Sequence, residues 1–102
     1  MTLRSIAHSR TGDKGSTLTV SVIAYREEDY PRLVRIVTAA RVERELSWIA
    51  RGPVERHEMP TIAALTFVVP RAPRDTVTQT LALDPHGKSV SSVLLDMEMD
   101  EP

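Results

Sequence analysis

Cysteine is absent from this sequence of 102 residues. That excludes a disulfide scaffold, a thiolate nucleophile and any Cys-ligated metal, and it agrees with a reducing compartment. Aromatic residues are scarce: Tyr25, Tyr30, Trp48 and Phe67 are all there are. Any core must therefore be built mostly from Val, Leu, Ile and Ala. An excess of charge is missing too, with 13 basic residues against 14 acidic ones and a formal net charge of −1. Such a balance supplies no electrostatic footprint for nucleic acid or an anionic membrane. No segment approaches the ~20 apolar residues of a membrane span, and Met1–Ser5 lacks the apolar run of a secretion signal. A cytoplasmic location is the expectation. Repeats and linker-like tracts are also lacking.

What is present suits one small globular domain spanning 1–102. Apolar residues make up 41% of the chain, enough for a core and too many for disorder. Leu3–Ser9 reads as a short strand, and Arg10–Gly15, with two glycines, as a loop. Thr17–Tyr25 alternates, Leu18, Val20 and Val22 facing one way, and predicts a strand. Pro31 marks a helix start, with Leu33, Ile36 and Val37 on one side. Thr38 caps a second helix that carries Val42, Leu46 and Ile49 inward and Arg41 and Glu45 toward solvent, before Gly52-Pro53 stops it. Val54–Met59 predicts a strand, and Ile62–Val69, the most apolar run, a central one. A further strand is expected over Thr76–Leu83 and a helix from Asp84-Pro85. In that helix Val90, Val93, Leu94 and Met97 share a face, although Leu95, Met97 and Met99 also alternate as a strand would. The fold class is α+β: a mixed or antiparallel sheet with helices packed on one face. The element order is not the simple βαββαβ of the ferredoxin-like fold.

Chemistry has few places to sit. Arg10-Thr11-Gly12-Asp13-Lys14-Gly15 brings two cations and two glycines together, and backbone N–H groups freed by glycine can converge on an anion. The spacing is not that of a Walker loop. The plain alternative is a tight turn with Asp13 capping backbone groups and Lys14 solvated. Among the histidines, His8 and His57 are candidate acid–base groups and His86 lies in a turn; none has metal-ligand spacing, so no metal and no cofactor is expected.

Taken in order, several segments resemble one family. Ala7-His8-Ser9-Arg10-Thr11-Gly12-Asp13-Lys14-Gly15 with Val22-Ile23-Ala24 resembles the A-x-A-R-S-G-D-K-G…V-I-A signature of the AtuA-like, acyclic terpene utilisation, proteins. Tyr30-Pro31 with Leu33, Thr38-Ala39-Ala40-Arg41-Val42, Val54-Glu55-Arg56-His57-Glu58-Met59-Pro60, Ala64-Leu65-Thr66-Phe67, Leu83-Asp84 with Gly87-Lys88, and Leu94-Leu95-Asp96-Met97-Glu98 continue it. The resemblance implies a small ferredoxin-like sandwich, which in larger members is a C-terminal domain behind a much bigger one. It implies a stand-alone small subunit or accessory domain with a large-subunit partner, linked to breakdown of acyclic terpenes and branched acyl-CoA compounds. A homo-oligomer is expected as well, because so small a domain has limited core. Arg10, Gly12, Asp13, Lys14 and Gly15 match the family and form the expected anion-binding or docking loop. His57 stands where the family has Tyr, and Thr66, Thr19 and Ser21 where it often has Asn, Asn and Gly, so His57 and Thr66 are additional candidates. The competing reading is a small enzyme acting on a carboxylate or acyl-CoA through Asp13, Lys14 and a histidine.

Overall fold

A computed structural model describes residues 1–14, 16–71 and 90–99. Strands β1 (Ala7–Asp13), β2 (Thr17–Ala24), β3 (Glu55–Met59) and β4 (Ala64–Pro70) form one antiparallel sheet in the order β1-β2-β4-β3. Helices α1 (Tyr30–Ile36) and α2 (Ala39–Glu45) connect β2 to β3, and α3 (Val90–Leu95) follows β4 in sequence. The strand expected over 76–83, the helix start at Asp84-Pro85, Gly15, His86 and the terminal residues from Asp100 lie outside the described residues.

The strand order explains why the chain does not read as βαββαβ. Strands β2 and β3 both run antiparallel to β4, which lies between them, so β2–α1–α2–β3 is a split crossover. In the ferredoxin-like order a last strand would follow α3 and occupy the sheet edge beside β2. Here β1, from the other end of the sequence, occupies that edge. The residues after α3 accordingly lie against those before β1. Leu3 N–H donates to the Met97 carbonyl at 2.9 Å, Met99 N–H donates to the Met1 carbonyl at 2.8 Å, and Thr2 bridges Glu98 antiparallel. The fold is the ferredoxin-like one with its last strand moved to the front.

Those contacts correct the first predicted strand. Leu3–Ser5 is a single 3-10 turn, closed by Ile6 N–H on the Leu3 carbonyl at 3.0 Å, and β1 begins only at Ala7. They also reconcile the two readings of the C-terminal segment. Leu94 and Leu95 are buried as helix residues, while Met97 and Met99 are buried as alternate residues of the extended stretch that follows.

Burial alternates along β2 without exception: Leu18, Val20, Val22 and Ala24 are buried and Thr17, Thr19, Ser21 and Ile23 half-exposed. Leu65, Phe67 and Val69 of β4 share the buried side, where Leu33, Ile36, Val42, Leu46, Ile49 and Leu94 cover them. Burying Leu46, Ile49, Leu65 and Phe67 stabilises the fold by ~1.5–3 kcal/mol each. Thr38 caps α2 as expected, its hydroxyl accepting from Arg41 N–H at 3.1 Å. The helix itself ends at Glu45, and turns carry Leu46 and Ile49 into the core. Arg41 does not stay in solvent beside Glu45; it is half-buried, and its guanidinium donates to the Glu98 carbonyl. On edge strand β3, Arg56 turns inward and donates to the Val34 carbonyl at 2.7 Å and the Val37 carbonyl at 3.1 Å. A cation there satisfies carbonyls that the end of α1 leaves open.

Candidate functional site

Most of the expected glycine loop is strand. β1 continues through Arg10, Thr11, Gly12 and Asp13, each paired in register with β2, and the chain reverses only between Lys14 and Thr17. Lys14 N–H closes that hairpin on the Thr17 carbonyl at 2.9 Å. Gly12 is needed for packing rather than for flexibility. A Cβ built on it would lie 2.7 Å from Thr19 Oγ1, the hydroxyl that donates to the Gly12 carbonyl at 3.3 Å.

Strand alternation divides the loop's charged residues between two faces. Ala7, Ser9, Thr11 and Asp13 pair with the buried-face residues of β2, whereas His8, Arg10 and Gly12 pair with Ile23, Ser21 and Thr19 of the outer face. Asp13 is held in an ion pair, but with neither of the neighbouring cations Arg10 and Lys14. Arg71 Nη2 donates to Asp13 Oδ1 at 2.6 Å, and the Arg71 side chain is only 3% exposed against 36% for Asp13. Arg71 N–H also donates to the Ser16 carbonyl at 2.9 Å. Asp13 therefore anchors the hairpin to the end of β4. Lys14 and Ser16, beside that anchor, are exposed at the hairpin tip.

Arg10, His57 and Thr66 meet on the outer face instead. Cross-strand pairing sets Arg10 beside Ser21, Ser21 beside Thr66, and Thr66 beside His57, one residue from each strand in a single row. Ser21 Oγ and Thr66 Oγ1 are 3.1 Å apart, and Thr66 Oγ1 donates to Met59 Sδ at 3.2 Å. Each hydroxyl proton is then used once, Ser21 donating to Thr66 and Thr66 to Met59. One row along, His8 stacks on Tyr25 with ring centroids 5.2 Å apart. Three strand spacings, roughly 14 Å, separate the backbones of Arg10 and His57.

The proposed acid–base set does not assemble. Asp13 is on the face opposite to His8 and His57, and Lys14 is at the hairpin tip, four residues along β1 from the row that holds His57. Among the described residues no three His, Asp or Glu side chains cluster as a metal site. A groove of about 550 Å³ runs along α2 past Glu43, Arg44, Ser47 and Gly52-Pro53, away from every candidate residue. Its Glu43 is structural, accepting from Val54 N–H at 2.9 Å. No helix among the described residues is long and apolar enough to cross a membrane.

Two features of this arrangement escaped the sequence reading. Arg71 as the partner of Asp13 has no local signal, because 58 residues separate them. The outer-face row was half visible, since the period of two in β2 already grouped Thr19 and Ser21; which strands would flank them was not.

The family whose sequence model matches is the AtuA ferredoxin-like domain, over residues 1–100. No curated protein and no solved structure matches the chain.

Proposed function

The chain belongs to the AtuA ferredoxin-like domain family, and on that premise we propose that it serves as the accessory, partner-binding domain of an AtuA-like assembly. The hairpin tip is its docking element. A large AtuA-like polypeptide is the partner, and breakdown of acyclic terpenes or branched acyl-CoA compounds is the process served. The observation that carries this reading is the hairpin. Exposed Lys14 and Ser16 lie at the end of β1, and the Asp13–Arg71 pair ties their base to the end of β4. An exposed cationic element anchored at its base suits a partner's acidic or anion-bearing site through charge complementarity. An enzyme built on Asp13, Lys14 and a histidine draws no support from the geometry, which spreads those groups over two faces and the tip.

The test is sedimentation of the chain mixed with an AtuA-like large polypeptide. Wild type should migrate as a complex and Lys14→Glu as separate components, with unchanged circular dichroism. Turnover of a branched acyl-CoA by the chain alone, or a complex indifferent to Lys14→Glu, would remove the proposal.

A further inference from the structure

The outer face of the sheet is complementary to itself. Arg10 is exposed on edge strand β1 and Glu55 on the opposite edge strand β3, and among the described residues neither has an ion-pair or hydrogen-bond partner. Between them the face is uncharged: Thr17, Thr19, Ser21 and Ile23 on β2, Thr66 and Val68 on β4. Its exposed large apolar side chains lie at one end. Met59 is 42% exposed there, with Tyr25 at 64% and Ile62 at 57% where β2 ends and before β4 begins. The described helices pack on the other side. A flat face of this kind suits a protein surface better than the concave site of a small ligand.

We infer that this outer face is a two-fold interface with a second copy of the chain, the axis running parallel to the strands. Two independent features select that axis. It lays β1 of one copy over β3 of the other, so Arg10 sits above His57 of the second copy. Glu55 lies two residues further along β3, roughly 7 Å away and within reach of a guanidinium. The same axis keeps the ends of the strands in register, so Met59, Tyr25 and Ile62 of both copies meet. An in-plane axis across the strands does the reverse: it stacks Arg10 on Arg10 and lays the apolar end over the hairpin end. Only the first arrangement is isologous with opposite charges facing and apolar surface meeting apolar surface.

The area sets the strength. Four strands at ~4.8 Å spacing and seven residues at ~3.4 Å rise cover roughly 450 Å² per copy, roughly 900 Å² for the pair. That is below the ~1,200 Å² of standard specific interfaces and in the size range of weak, transient contacts, so the dimer is concentration-dependent.

Sedimentation equilibrium of the full chain at low salt tests this with Arg10→Glu, Glu55→Arg and the double exchange. Wild type should show a concentration-dependent dimer that added salt weakens. Each single variant places like charges together and should raise the dimer Kd at least about tenfold, while the double exchange returns it toward wild type. Circular dichroism should be the same for all four, since both positions are exposed. A chain monomeric at every concentration overturns the inference, as do single variants that dimerise as tightly as wild type. The large-partner complex and its Lys14 test stand or fall separately.

Discussion

Asp13→Ala isolates the anchor of the hairpin. The substitution leaves the Arg71 guanidinium, in a side chain 3% exposed, without the carboxylate now 2.6 Å away. Removing one partner of a buried ion pair costs about 3–5 kcal/mol, because the remaining charge stays in a poorly solvated place. Two features lower the figure. Water reaches Asp13, which is 36% exposed, and Arg71 has other polar contacts. About 2–3 kcal/mol remains. For a domain of this size that lowers Tm by about 10–20 °C. The double variant Asp13→Ala with Arg71→Met removes both charges and keeps an apolar stem, so it should recover to within about 1 kcal/mol of wild type. Lys14→Met is the control: the exposed side chain should change stability by less than about 0.5 kcal/mol. Differential scanning calorimetry and urea titration read all four proteins. If Asp13→Ala is silent and Lys14→Met unfolds the protein, the assigned roles are reversed and the anchor argument fails.

Arg56→Met should cost about 1.5–3 kcal/mol, since it strips the Val34 and Val37 carbonyls of their charged donor. Hydrogen exchange should show α1 opening first, and unchanged protection of its amides would refute the role. Gly12→Ala should destabilise by about 1–2 kcal/mol by crowding Thr19 Oγ1. In a Thr19→Ala background the same change should become neutral or slightly stabilising, through the reduced freedom of the unfolded chain. A urea-denaturation cycle in which the penalty survives Thr19→Ala would place the conflict elsewhere.

Elements with strong local causes were legible in advance. The alternation of Leu18, Val20 and Val22 put β2 within a residue of its place, and Thr38 capped α2 as its hydroxyl chemistry requires. Ile62–Val69 was rightly taken as central, although the strand begins only at Ala64, after a 3-10 turn over Pro60–Ile62, and its burial alternates with Leu65, Phe67 and Val69 inward. Where local and long-range causes competed, the local reading lost. Two glycines argued for a loop from Arg10 to Gly15, but pairing with β2 holds the chain extended through Asp13, and Thr19 fills the space that Gly12 leaves. Leu3 alternated as a strand residue, yet hydrogen bonding to the Met97 carbonyl holds it in a 3-10 turn.

The amino-acid sequence by itself determined the family, the α+β class, the buried side of β2 and the absence of thiol chemistry, because side-chain type and spacing act within a few residues. The tertiary structure decided which strands are neighbours, and that decision made the site. It moved Arg10 from a loop to the same row as Ser21, Thr66 and His57, gave Asp13 to a distant Arg71, and set Arg10 and Glu55 on opposite edges of one face. The physical reason is that strand order follows from how the helices and edge strands share one apolar sheet face. That is a property of the whole packed core, which no window of residues contains.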